Sequence, residues 1–345
     1  MRVPGPVEHA GSADVRTWEA LGMATPQRPA LAVEIHARLP STNDLALERA
    51  RRQLPIRPTL IMADRQSAGR GSGGRQWYSG HEGLYLSLLL PRVHAPPEHL
   101  SKFALLAGLA LCETLEALPL AVAPQVKWPN DVLISGAKVA GILVESSART
   151  GSPDATQGAR PGEHSGGARL LSGASPFGDD NSTRDGRAPA SLSERSGGSA
   201  SAGLGASATL PLVVGIGLNL SSPKVTEDAL GPLETPATFL ADHLCGYLAG
   251  QVPLKPWLVN AWLERFFSKL TQIPRSGWQP VIHALNDRLW GRGQRVVWAP
   301  HASMLGASTL EVRHFLGLDA EGYPQFESPA GPSRRTQGRL VALAR

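Results

Sequence analysis

Cysteine is nearly absent. The 345 residues hold two, Cys112 and Cys245, without metal-ligand spacing, which excludes a disulfide scaffold or a zinc module and fits a reducing compartment. Long hydrophobic runs are missing too. The longest apolar stretches, residues 84–90 and 103–111, fall well short of the roughly 20 residues a spanning helix needs, so no membrane span or membrane partner is expected. Met1-Arg2-Val3-Pro4-Gly5-Pro6 lacks the apolar middle of a signal peptide, and a cytoplasmic location is expected. The net charge is +5 and the pI about 9.5, yet Lys and Arg are not gathered in one block. Residues 1–30 are too short and too broken by proline for the packed helices of a helix-turn-helix, so they read as a loose tail and no nucleic-acid partner is expected.

What is present is a globular chain long enough for two domains, 42% hydrophobic and 18% charged. It is organised around Gln66-Ser67-Ala68-Gly69-Arg70-Gly71-Ser72-Gly73-Gly74-Arg75-Gln76-Trp77, in which four glycines and two arginines give a backbone that bends freely and offers cationic forks to an anion. Apolar runs on both sides, Leu60-Ile61-Met62-Ala63 and Leu84-Tyr85-Leu86-Ser87-Leu88-Leu89-Leu90, place this loop between two strands. Gly69, Gly71 and Gly74 satisfy G-x-G-x-x-G. That fingerprint requires a helix after the glycines, and a strand follows here, so a dinucleotide fold fails on context.

Taken in order, Leu31, Val33 and Ile35 alternate with polar or small residues, giving a half-buried strand. Ser41 and Asp44 open a helix to about Gln53 in capping-box fashion; Ser41 is then an N-cap, a ligand contact, or both. Residues 84–90 read as a strand buried on both faces, ended by Pro91, and residues 101–118 as a helix apolar nearly all round. In Val126-Lys127-Trp128-Pro129-Asn130-Asp131 the Pro-Asn-Asp is turn chemistry between two strands, and Ser135-Gly136 turns the chain again, giving a meander. Lys138 stands either at the mouth of a pocket or as a solvated charge at a strand end. Lys127, Arg75, Asp131 and Trp77 admit structural readings as strand-edge charge, loop charge, turn residue and core aromatic.

Residues 147–207 turn to Gly, Ser, Ala, Asp and Arg and read as a disordered insertion. A strand with two glycines, Gly215-Ile216-Gly217-Leu218-Asn219, follows; the glycines permit close backbone approach or serve packing. Helices are expected over 238–249, 255–270 and 279–289. Short strands over 294–298, 309–315 and 339–344 form a small β-barrel or sandwich.

Four stretches, in this order, resemble the biotin-protein ligases: Ser41-Thr42-Asn43; Gln66 through Gly69-Arg70-Gly71 to Trp77; Lys127-Trp128-Pro129-Asn130-Asp131 with Lys138-Val139-Ala140-Gly141-Ile142-Leu143; and Gly215-Ile216-Gly217-Leu218-Asn219. The resemblance covers residues 31–345 apart from the insertion. It implies an α+β fold: a catalytic domain over 31–287, with a mixed, largely antiparallel, class II synthetase-like sheet and flanking helices, and an SH3-like β domain over 288–345. It implies an ATP-dependent, Mg²⁺-requiring ligase that forms biotinyl-5′-AMP and passes biotin to a lysine of a carboxylase's biotin carboxyl carrier domain, working as a monomer or homodimer.

By the same resemblance, Lys138 and Arg70 are catalytic. Ser41, Thr42, Asn43, Gln66, Gly69, Arg70, Gly71, Ser72, Lys138, Gly141 and Gly215 belong to biotin, with Gly141 and Gly215 as the pocket floor. Arg70, Arg75, Trp77, Lys127, Asn130, Asp131 and Asn219 belong to ATP or the adenylate, and Asp131 lies near Mg²⁺. Ser72 and Gly73 stand where many relatives carry arginine, so the loop is less cationic and is expected to be more mobile and to hold the adenylate less firmly. A lipoate or octanoate transferase shares the fold but should lack the Lys-Trp-Pro-Asn-Asp stretch. A biotin-responsive DNA-binding regulator would need a winged helix before Leu31.

Overall fold

The computed structural model describes residues 20–52, 57–94, 99–146, 209–222, 235–245, 255–299 and 311–341. Seven strands form one sheet: β1 (Ala32–Leu39), β2 (Thr59–Gln66), β3 (Gly83–His94), β4 (Gln125–Lys127), β5 (Asp131–Ile134), β6 (Ala137–Ser146) and β7 (Thr209–Asn219). They lie in the order β1-β2-β3-β7-β6-β5-β4. Helix α1 (Thr42–Arg52) is the crossover between β1 and β2, the one parallel pair; every other pairing in the sheet is antiparallel. The fold is thus the mixed α+β sheet expected.

Period-two alternation assigns the two faces. Leu84, Leu86, Leu88 and Leu90 of β3, with Leu212, Val214, Ile216 and Leu218 of β7, enter the main core. There they meet α2 (Leu100–Leu115), α3 (Lys255–Leu270) and α5 (Gln279–Asn286), the short α4 (Ile273–Ser276) lying between the last two. The alternate residues Leu89 and Val213 pack with Ile61 against Ala46, Leu47 and Ala50 of α1. Beyond that small patch the α1 face carries Ser87, Gly215, Gly217, Gly141 and Leu143, and it is left open for a cavity. Helix α1 begins at this opening, where the Asp44 backbone N–H donates to Ser41 Oγ at 3.3 Å, the N-cap expected.

A second, antiparallel sheet has the order β11-β10-β9-β8-β12, from β8 (Arg295–Ala299), β9 (Glu311–Leu318), β10 (Pro324–Phe326), β11 (Ser333–Arg334) and β12 (Arg339–Val341). Trp298, Phe315 and Phe326 are its aromatic centre. Trp128, just before the expected Pro-Asn-Asp turn, packs its ring 5.6 Å from Trp298 and donates its indole N–H to Gly322 O. This sheet corresponds to the small C-terminal β domain expected from the sequence.

Three expectations need correction. Residues 20–30 are docked rather than loose: Arg28 is buried, donates to Leu21 O and Met23 O at 2.8 Å each and pairs with Glu264 at 3.3 Å, fixing the segment to α3. Pro91 does not end β3, which continues to His94 through a register shift between Leu90 and Val93 that absorbs the missing N–H donor. Residues 238–245 form no α-helix. Backbone bonds to Lys138 from both sides of Ala237 hold this stretch extended (Lys138 N to Pro236 O, 2.6 Å; Thr238 N to Lys138 O, 2.9 Å), and only a 3₁₀ turn, Leu240–His243, follows. Strands β10 and β11 were not anticipated, being too short to show alternation. Residues 1–19, the insertion at 147–207, residues 246–249 of the expected helix, 309–310 and 342–344 lie outside the described residues.

Candidate active site

A cavity of about 420 Å³ opens on the α1 face of the large sheet, within the roughly 300–1,000 Å³ of ordinary small-molecule sites. Its floor is backbone. Gly141 of β6 is the register partner of Gly217 of β7, and the Trp77 ring lies on both: a Cβ on Gly141 would come within 2.8 Å of it, and one on Gly217 within 2.5 Å of its indole nitrogen. Gly215 lies beneath the Asn43 amide in the same way. Of these three glycines only Gly141 and Gly215 were assigned to the site by sequence. Gly217 joins them as the seat of the one large aromatic in the loop, and the Trp77 indole N–H has no partner among the described residues.

At one end is a buried polar cluster. Ser41, Thr42 and Asn43 are each at least 95% buried. Gln66 Oε1 accepts from the Thr42 backbone N–H at 2.8 Å, and Gln66 Nε2 donates to Ser79 Oγ at 2.9 Å. The Ser87 hydroxyl lies 2.8 Å from Thr42 Oγ1 and 2.5 Å from Asn43 Oδ1. Ser87 was missed. Its signal was in the sequence, since it is the one short polar side chain in an otherwise leucine-rich strand and must find partners when buried.

At the other end Lys138 Nζ pairs with Asp131 Oδ1 at 2.6 Å and stands 5.1 Å over the Trp77 ring. Strand parity alone would put Lys138 and Gly141 on opposite faces. Between β5 and β6 the register passes from Val132↔Ala140 to Leu133↔Lys138, leaving Val139 unopposed. That one-residue bulge turns Lys138 into the cavity while Val139 enters the core. Asn219 Nδ2 donates to Thr238 O at 3.2 Å beside the Lys138 carbonyl, and Asn130 Nδ2 to Ile142 O at 2.7 Å. Both line the cavity while bracing its wall.

The glycine loop covers the cavity as a small hairpin. Gly71 N–H donates to Arg75 O at 2.7 Å and Trp77 N–H to Gly69 O at 2.8 Å. Gly73 and Gly74 turn it at positive φ, +67° and +76°, where glycine carries no steric penalty. Arg75 donates to Ser72 O and Ser72 Oγ, so it closes the hairpin on itself. Arg70 reaches away from the loop, to Glu145 of β6 and Asp44 of α1; these carboxylates outweigh burial and raise its pKa above the usual guanidinium value.

Of the residues expected at the site, all but Gly69 and Lys127 line the cavity. Gly69 is buried in the hairpin's neck, where a Cβ would meet Ser79 and Trp77. Lys127 is buried behind the wall, its Nζ 2.7 Å from Thr235 Oγ1 and 5.7 Å from the centre of the Trp290 ring. Among the described residues no three of His, Cys, Asp and Glu gather as a metal site, and Asp131 is the one carboxylate lining the cavity.

Residues 35–157 match the Biotin/lipoate A/B protein ligase family. A "Bifunctional ligase/repressor BirA" from Bacillus spizizenii is 40% identical over 109 residues, 31% of this chain and 33% of the relative. A "Biotin--[acetyl-CoA-carboxylase] ligase" from Mycobacterium tuberculosis is 38% identical over 117 residues, 33% and 44% of the two chains. The matched part thus spans between a third and a half of these relatives. A biotin protein ligase from Aquifex aeolicus, solved in complex with biotin and ATP, shares the fold over 90% of this chain and 97% of its own, with a TM-score of 0.58 at 21% identity.

Proposed function

We infer that this chain, whose residues 35–157 match the Biotin/lipoate A/B protein ligase family, activates biotin with ATP and transfers it to a lysine on the biotin carboxyl carrier domain of a carboxylase. In the first step a biotin carboxylate oxygen attacks the α-phosphorus of ATP, and the bond to the β-phosphate oxygen breaks, releasing pyrophosphate. In the second, the carrier lysine amine, losing a proton, attacks the biotinyl carbonyl and AMP leaves. Both steps crowd negative charge at one point, so positioning and fixed cations do the work.

The observation that carries this reading is the pairing of two unlike ends in one cavity: a buried set of neutral donors and acceptors at Ser41, Thr42 and Gln66, and a cation, Lys138, over an indole. The flat ureido head of biotin needs the first, and the meeting of carboxylate and phosphate needs the second. Trp77, Asn130 and Asn219 are assigned to the nucleotide, Asn43, Gly141 and Gly215 to the biotin side, and the Gly69–Ser72 backbone to the lid over both. Arg75 and Lys127 act on the nucleotide through the loop and through Thr235.

Mg²⁺ fits as an ion shared between Asp131, the one lining carboxylate among the described residues, and the phosphates of ATP, the usual mode for this metal. The ion would supply charge neutralisation on the phosphates, and Asp131, held by Lys138, would keep its oxygens at that end of the cavity. No helix among the described residues is long and apolar enough to cross a membrane, and we place the reaction in the cytoplasm, where ATP and reduced thiols coexist.

Pyrophosphate exchange into ATP, measured with biotin, lipoate and octanoate in turn, tests the reading. Exchange that requires biotin is expected. Exchange with lipoate or octanoate in its place would move the chain to the other branch of the family.

A further inference from the structure

Besides Trp77, which lies on the floor glycines, the glycine loop meets the rest of the molecule through Arg70, which is paired with two carboxylates. Arg70 Nη1 donates to Glu145 Oε1 at 3.0 Å, and Nη2 lies 2.7 Å from both Glu145 Oε2 and Asp44 Oδ1. The Glu145 pair is bidentate, the geometry in which a guanidinium holds best. Asn43 Nδ2 donates to the same Glu145 Oε2 at 2.9 Å. The lid, the floor strand β6 and the first turn of α1 therefore converge on one guanidinium.

Charge decides what this arrangement can do. Arg70 with Glu145 and Asp44 sums to one negative charge, whereas Lys138 with Asp131 sums to zero. An anion approaching Arg70 meets two carboxylates beside it, so the Lys138 end of the cavity is the better seat for phosphate. We propose that Glu145 and Asp44 are positioning residues that latch Arg70, and that the Arg70 side chain serves to hold the lid over the cavity rather than to neutralise the ligand's phosphate. This rests on the function proposed above only for the identity of the ligand; the latch itself is a property of the free protein. It also accounts for a loop that lacks arginine at Ser72 and Gly73 yet stays closed, because the lid is fastened from its neck instead of along its tip.

The two roles predict opposite signs. If Glu145 positions, Glu145→Gln loosens the lid; if Arg70 is the phosphate cation and Glu145 its competitor, the same change frees the cation and tightens binding. Trypsin cleavage after Arg70 in the ligand-free protein is the direct probe. The latch predicts cleavage about tenfold faster in Glu145→Gln and a smaller gain in Asp44→Asn, the order of a bidentate over a single charged contact. Because Arg70 and Asp44 are 37% and 50% exposed, the pairs are screened, and raising salt should speed cleavage of the natural protein more than that of Glu145→Gln, which keeps only the Asp44 pair. In pyrophosphate exchange the biotin KM should rise by about tenfold with kcat within about twofold.

Cleavage unchanged by the substitutions and by salt overturns the latch, as does a fall in KM or a loss confined to kcat. A natural protein that shows no biotin-dependent exchange defeats the function and leaves the protease result to decide the latch by itself. Thermal unfolding of both variants near the natural midpoint separates a loosened lid from a damaged fold.

Discussion

The floor and the lid of the cavity are both built from glycine, for different reasons. On the floor, Gly141, Gly215 and Gly217 sit in a sheet whose opposite face is packed solid, and each is glycine because a side chain from above already fills the place of a Cβ. In the lid, Gly73 and Gly74 have nothing within 4 Å and are glycine because the backbone turns left-handed there. The floor is thus held by burial and the lid by backbone bonds and exposed charge. Changes to the floor should strike stability and shape, and changes to the lid should strike affinity.

The largest effect should come where floor and reaction coincide. Lys138→Ala should lower biotin-dependent exchange by about 10²–10³-fold, the usual cost of removing one group that stabilises developing charge, with the unfolding midpoint little changed. Next, Gly217→Ala drives a methyl into Trp77 and should cost about 1–3 kcal/mol as overpacking, read by urea unfolding, together with loss of nucleotide binding. The same change at Gly73 meets no neighbour. Gly73→Asn, a residue that tolerates positive φ, should stay within about 0.5 kcal/mol of the natural protein; if it proved as damaging as Gly217→Ala, the distinction between floor and lid would fail. Smaller again, Ser41→Ala removes a long cap bond and should cost about 0.5–1 kcal/mol of stability while raising the biotin KM.

A last contrast lies outside the cavity: Cys112 is fully buried and its thiol pKa is raised by desolvation, while Cys245 is exposed. Alkylation of the native protein should modify Cys245 alone, and Cys112 only after unfolding.

Much of the floor was legible in the sequence. The apolar run over 84–90 gave the strand, Ser135-Gly136 gave the hairpin, now seen with φ of +52° and +79°, and the glycines of β7 allowed a close approach. What the sequence hid was longer in range. The bulge at Val139 that aims Lys138 depends on how β5 pairs with β6, and no local pattern announces an unopposed residue. The start of the helix expected from Thr238 is extended instead because its backbone bonds to Lys138, a hundred residues earlier in the chain. Glu145 carried no local signal, since its partner Arg70 lies 75 positions away. Arg28 read as part of a loose tail because Glu264 is equally remote in sequence.

The measurement that tests the account most directly is the mass of a purified carboxylase carrier domain after incubation with this protein, ATP, Mg²⁺ and biotin. The account predicts one biotinyl group on one lysine, dependent on ATP and lost with Lys138→Ala. An unmodified carrier, or modification that persists without Lys138, would contradict it.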